Sequence, residues 1–204
     1  RVNGQFYKLY TIMDLYSRYI VAYDVWDTEN AEHSKSLLER AALSEKITNP
    51  QNLVLHGDNG APLKAYTVKA KLEELGIKPS YSRKRVSNDN AHAEALFRTV
   101  KYHPTFDPNG YETLSDARAW ADSLVKWYNH DHLHGSIGWV TPADKHQGKD
   151  KQILNARREV YAKAKAQNPR RWINNQCRSW PEVDSTQLNP YNAKKHEQNL
   201  KKSA

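Results

Sequence analysis

Two β-rich runs stand almost back to back near the start of the chain. Residues 6–13 bring Phe6, Tyr7, Leu9, Tyr10 and Ile12, and residues 19–26 bring Tyr19, Ile20, Val21, Tyr23, Val25 and Trp26. Aromatic and β-branched side chains suit a pleated, half-buried surface. Only the polar stretch Asp14-Leu-Tyr-Ser-Arg18 separates the runs, so they are predicted to pair as an antiparallel hairpin. Whatever sheet this chain builds has to include that pair.

Behind the hairpin the pattern alternates. Leu37, Leu38, Ala41, Ala42 and Leu43 make residues 31–46 an amphipathic helix. Leu53-Val-Leu55, flanked by Pro50, Gly57 and Gly60, reads as a short buried strand ending in a tight turn. Ala65, Val68, Leu72 and Leu75 recur at helical spacing, and Gly76 closes that helix. A short strand is predicted over residues 77–82, then a helix from near Ser87 to Tyr102. A loop over 103–110, rich in proline and glycine, precedes a strong helix over 114–130, capped by Thr113 with Asp116 in the place of the usual Glu. A further helix is predicted over 146–165, and from Asn168 onward prolines, asparagines and scattered tryptophans indicate an extended arm. The fold class is therefore mixed α/β. A ribonuclease H-like fold, a mixed sheet flanked by helices, has this order, although periodicity alone does not select it.

The formal charge of +8 is unevenly placed. Residues 1–148 hold 18 Lys/Arg and 18 Asp/Glu, whereas residues 149–204 hold 13 against 5. Such a basic segment seeks a polyanion, most often nucleic acid, or else serves as a solvated tail. The domain reading is thus a core over residues 1–147 and a basic helix with an extended arm over 148–204. A single cysteine, Cys177, excludes an internal disulfide framework and a Cys-based zinc finger. No apolar run approaches the ~18 residues of a membrane span and no signal peptide opens the chain, so the expected setting is soluble and cytoplasmic, with no membrane.

Two local features carry the chemistry. His56-Gly-Asp-Asn-Gly60 follows the apolar run 53–55, where a strand ending in Gly-Asp-x-Gly lifts the Asp58 carboxylate off the sheet edge; the same residues also suit a plain turn. In the helix Ser87-Asn-Asp-Asn-Ala-His-Ala-Glu94-Ala-Leu-Phe-Arg98-Thr-Val-Lys101, the residues Glu94, Arg98 and Lys101 share one face. They read as an intrahelical ion pair or as a metal ligand followed by two phosphate contacts. His130, His132 and His134 invite a zinc reading, but spacing of two spreads helical side chains by about 200°. Trp172 and Trp180, set among Arg170, Arg171 and Arg178, suit base stacking or, better, anchoring of the arm onto a domain.

Taken in order, five blocks resemble one family closely. Tyr10-Thr-Ile-Met-Asp-Leu-Tyr-Ser-Arg-Tyr-Ile-Val-Ala-Tyr23, His56-Gly-Asp-Asn-Gly60, the stretch from Ser82 through Glu94 to Tyr102, Trp127-Tyr-Asn-His-Asp-His-Leu-His134 and Thr141-Pro-Ala-Asp144 look like the second-reading-frame transposases of insertion sequences. These belong to the retroviral integrase, or DDE, superfamily. The resemblance implies a ribonuclease H-like catalytic core that cleaves and joins DNA strands using two Mg²⁺ (or Mn²⁺) ions. It implies Asp58 and Glu94 as catalytic metal ligands, and Arg83, Lys84, Arg85, Arg98 and Lys101 as DNA contacts. It further implies DNA partners (transposon ends and target), a homo-oligomer on DNA and a bacterial, nucleoid-associated setting.

The family's first Asp lies on the first strand in a Trp-x-x-Asp-x-Thr context, and this sequence holds no such motif. The resemblance therefore places that Asp before residue 1, with the first strand missing from this chain. Asp14 is the one substitute ligand, and its competing role is to close the hairpin turn beside Ser17 and Arg18. Two alternatives stay open: an inactive DNA-binding remnant of a transposase, or another ribonuclease H-like nuclease.

Overall fold

In the computed structural model, which describes residues 6–47, 50, 53–172, 177, 180, 182–186 and 188, the hairpin forms as predicted. Strand β1 (Lys8–Met13) runs antiparallel to β2 (Ile20–Trp26), with Lys8 opposite Trp26. Asp14 makes the turn: its carboxylate accepts the backbone N–H groups of Tyr16 at 3.2 Å and Ser17 at 3.0 Å, and the Ser17 hydroxyl. Short-range bonds of this kind are why Asp favours turns. Arg18 completes the reversal in the left-handed region, at φ 67°.

Helix α1 (Ala31–Ser44) begins where the Asn30 side chain accepts the Glu32 N–H. Its two buried flanks face different partners. Leu37 and Ala41 pack with Ala22 of β2, while Leu38 joins Val68, Leu72 and Ile77. Strand β3 (Val54–Gly57) pairs in parallel with β4 (Lys78–Tyr81). Parallel strands need a crossover connection, here the short α2 (Ala61–Lys64) and α3 (Tyr66–Glu74). Gly76 closes α3 with φ 68°, as its spacing implied.

Among the described residues the strands form two pairs, β1–β2 and β3–β4. Side chains join them where a ladder does not: Ile12 and Leu55 both pack onto the Leu38, Val68, Leu72 and Ile77 cluster.

A 3₁₀ turn (Ser87–Asn90) leads into α4 (Ala91–Lys101), so the helix proper starts slightly later than predicted. Leu96 and Val100 of α4 pack with Ile20, Leu124, Val125 and Tyr128, which sets α4 against β2 and α5 (Leu114–His130). The Thr113–Asp116 capping box opens α5. At its far end Asn129 grips both backbone groups of Ile20, at 2.9 and 3.0 Å. The helix predicted over 146–165 is α7 (Asp150–Gln167), which starts later than expected, and a separate short helix, α6 (Pro142–His146), precedes it. Gly148 at φ 71° breaks them apart, and a buried Lys145–Asp150 ion pair of 2.7 Å ties them across the break. No helix among the described residues is long and apolar enough to cross a membrane.

Candidate functional site

Strand β3 delivers Asp58 directly after its last residue, Gly57. The Asp58 side chain is exposed, and its Oδ1 accepts the Gly60 N–H at 2.8 Å. Both glycines leave room for a neighbouring side chain. A Cβ at Gly57 would lie 2.5 Å from Leu63, and one at Gly60 would lie 2.8 Å from Asp58 Oδ1, displacing the carboxylate. The turn is pinned to the neighbouring strand at several points. The His56 ring meets the Ser80 hydroxyl at 2.9 Å and the Ser82 hydroxyl at 3.2 Å, Asn59 Nδ2 donates to the Ser82 carbonyl, and the Ser82 N–H donates to the Gly57 carbonyl at 3.0 Å.

Glu94 occupies the first turn of α4, where the helix dipole favours a carboxylate. It is exposed, as are Arg98 and Lys101 further along the helix. The Arg98 guanidinium lies 5.6 Å from the ring of Tyr102, itself 77 % exposed. Lys84 and Arg85 are exposed in the loop between β4 and α4.

Arg83 has a different setting. Its backbone N–H and Nε donate to Asp89 Oδ2 at 3.0 and 2.8 Å, and Nη2 donates to Oδ1 at 2.9 Å. The expected phosphate contact is thus already held by a buried carboxylate. Asp89, His56, Ser80 and Ser82 had no role assigned from sequence, although the acidic residue six places after Arg83 in an otherwise basic and polar stretch was the available signal.

The Asp14 carboxylate is engaged in the hairpin turn with Tyr16 and Ser17. Burial opposes its charge, but hydrogen bonds from Ser17 and Tyr16 and the nearby His146 outweigh that and hold the carboxyl below the usual carboxylate range. His146 bridges onward: Nδ1 meets Ser17 Oγ at 3.1 Å, Nε2 meets Glu45 at 2.9 Å, and the ring stacks on Tyr19 at 4.6 Å. His130 sets its ring edge against Tyr19, and His132 stacks on Tyr128. His134 Nδ1 accepts the Ser136 N–H.

Trp180 packs onto Ile137, Val140 and Leu154 within its own chain, while residues 173–176, with Arg178, lie outside the described residues. Part of the basic excess is engaged internally. Arg157 donates to the carbonyls of Gly138 and Trp139, each at 2.8 Å. Arg158 lies 3.4 Å from Glu182, and Lys151 lies 3.9 Å from Glu182 and 4.0 Å from Asp184.

Asp58 and Glu94 offer hard carboxylate oxygens, the donors that Mg²⁺ and Mn²⁺ take together with water. Among the described residues no three His, Cys, Asp or Glu side chains group as a metal cage. The donor chemistry fits a hard divalent ion.

An integrase core domain family matches residues 1–87, and a second family of the same description matches residues 75–142. The putative transposase InsK for insertion sequence element IS150 of Escherichia coli K12 is 26% identical over 143 residues, covering 70% of this chain and 50% of that protein. A 31 kDa protein of insertion element IS600 from Shigella sonnei is 31% identical over 136 residues, 65% of this chain and 48% of its own length. The transposase for IS904 of Lactococcus lactis is 25% identical over 134 residues, covering 65% and 51%. The chain spans about half the length of these relatives. Among solved structures, the catalytic core domain of BIV integrase superposes with a TM-score of 0.51 at 18% identity, covering 71% of this chain and 88% of that one. A simian T-cell lymphotropic virus intasome chain gives 0.50 at 15% identity, covering 70% and 49%. The fold is ribonuclease H-like.

Proposed function

This chain belongs to the integrase-core family of insertion-sequence transposases, within the retroviral integrase superfamily, and we propose that it cuts and joins DNA strands with the help of divalent metal ions. One observation carries the reading: Asp58 leaves the end of β3 in a turn fastened to Ser82, and Ser82 adjoins the Arg83–Asp89 pair that leads to Glu94 on α4. Hydrogen bonds thus run from the Asp58 turn to Asp89, and the chain continues from Asp89 into the helix that carries Glu94.

Cleaving a phosphodiester requires in-line attack by water or a DNA 3′-hydroxyl, with positive charge beside both the attacking and the leaving oxygen. A pair of Mg²⁺ or Mn²⁺ ions supplies that charge when bound. Asp58 and Glu94 are the residues that would hold them. Lys84, Arg85, Arg98 and Lys101 are exposed cations on the same loop and helix. They would contact phosphates, which sets position and affinity without reading sequence.

Asp58→Asn and Glu94→Gln are each expected to abolish Mg²⁺-dependent nicking of a duplex carrying the element's end, while duplex affinity stays within about twofold because neither residue is a phosphate contact. Nicking retained by either variant would sink the assignment. If a protein that also carries the first Asp binds duplex and never nicks it, the DNA-binding remnant becomes the correct reading.

A further inference from the structure

We infer that Arg83 and Asp89 form a positioning pair, one that sets the start of α4, and with it Glu94, against the Asp58 turn. The inference rests on the reading of Asp58 and Glu94 as metal-binding carboxylates, and it replaces the role of Arg83 as a phosphate contact.

The geometry is a closed clasp. Asp89 is 5 % exposed and receives three hydrogen bonds from Arg83, one from the backbone and two from the guanidinium fork. A planar fork on both oxygens of a carboxylate fixes direction as well as distance, which a lysine ammonium cannot do. The five residues between them form a tight loop. Val86 N–H donates to the Arg83 carbonyl at 3.3 Å, Asp89 N–H donates to the Val86 carbonyl at 3.2 Å, and Arg85 takes the left-handed conformation at φ 64°. A non-glycine residue there is uncommon and persists only where its surroundings hold it. The clasp is what holds it.

On one side the clasp continues into the Asp58 turn. Ser82, the residue before Arg83, binds Gly57 through its N–H, Asn59 through its carbonyl and His56 through its hydroxyl. On the other side Asp89 is one residue from Asn90, where the 3₁₀ turn ends and α4 begins, with Glu94 in the first helical turn. Glu94 is an exposed side chain on a helix N-terminus, so its location relative to Asp58 depends on how that terminus is fastened. The Leu96 and Val100 contacts hold the body of α4, and the clasp holds its start. Carboxylates sharing a metal must be held to within about 0.5 Å of their productive geometry.

The decisive variant is Arg83→Lys, which keeps the charge and loses the fork. The Arg83 side chain is 67% exposed, and lysine keeps a cation beside the buried Asp89. Mn²⁺ affinity, read from the free-ion signal in electron paramagnetic resonance, is expected to fall about tenfold, as for residues that orient metal ligands. Arg83→Gln should match it. Backbone amides at the start of α4 should exchange faster in both variants. The salt dependence of duplex binding should not change in either, whereas losing a true phosphate contact lowers the slope by about 0.9. Asp58→Asn and Glu94→Gln are the controls. If the controls weaken Mn²⁺ binding and Arg83→Lys does not, the clasp inference is overturned while the metal reading stands. If the controls leave Mn²⁺ binding unchanged, the metal reading falls and this inference falls with it. A slope lowered by Arg83→Gln with metal affinity intact would return Arg83 to the phosphate contacts.

Discussion

His134 sits where the chain leaves α5 and folds back through a single antiparallel bridge to Val140. Its Nδ1 accepts the Ser136 N–H at 3.3 Å and lies 3.1 Å from the Ser136 hydroxyl. Burial, with Arg18, His132 and His92 adding positive charge nearby, pushes its pKa down to about 4. In the unfolded chain it takes up its proton near the ordinary value of about 6.5. Between those values the unfolded state binds more protons, so this group's effect on stability is absent above pH ~6.5 and grows unfavourable as pH falls toward 4. The melting temperature should drop on acidification across that window, and more steeply in the parent than in His134→Gln. Equal slopes for the two proteins would remove His134 as the cause. Asp14 and Asp58 make the complementary contrast, since one carboxylate is consumed by its own turn and the other is presented to solvent by one.

Helix α7 shows how an element's charge differs from its composition. Lys151, Arg157 and Arg158 lie on its length, and each bonds to its own chain, through Glu182 and Asp184, through the Gly138 and Trp139 carbonyls, or through the Trp180 carbonyl. The arm that carries Glu182 and Asp184 is anchored where Trp180 inserts against Leu154, with Arg157 over its ring at 5.2 Å. The arm therefore masks part of the basic surplus. The double variant Glu182→Gln, Asp184→Asn is expected to release Lys151, while Arg158 stays on the Trp180 carbonyl, and to steepen the salt dependence of duplex binding by about 0.9 if Lys151 gains a phosphate. A slope unchanged in filter-binding or anisotropy titrations would show that this cation never reaches DNA.

Across the whole molecule, α1 does what a continuous ladder would otherwise do. The β1–β2 pair meets it through Ala22, Leu37 and Ala41, and the β3–β4 half meets it through Leu38 in the cluster with Val68, Leu72 and Ile77. Leu38 is 4 % exposed and stands at that junction. Leu38→Ala should cost about 2–5 kcal/mol by cavity formation. It should also lower the apparent m-value in urea, because the two halves then unfold less cooperatively. Leu124→Ala, on the other side of the hairpin, should cost a similar amount with m unchanged. Coincident fluorescence and circular dichroism transitions in Leu38→Ala would show that the halves are coupled by something other than this cluster.

The parts legible in the sequence are those settled by neighbours along the chain. The hairpin, the faces of α1 and α5, the Thr113–Asp116 capping box and the closing glycine at Gly76 follow from short-range periodicity and cap chemistry, whose donors and acceptors lie within a turn of each other. The position of Asp58 at a strand end and of Glu94 on a helix was legible for the same reason, while the later start that puts Glu94 in the first helical turn was not. Gly148 shows the limit of that kind of reading, because helical spacing on both sides concealed a left-handed break that the buried Lys145–Asp150 pair makes stable. What each charged group does was decided only by the fold. Ser17 and His146 stand 129 residues apart and still meet at 3.1 Å, while Arg83 is taken by Asp89 and Arg157 by Gly138 and Trp139. Periodicity records which side chains leave water, but a hydrogen bond depends on the direction and distance of one particular partner, and the chain acquires those only on folding.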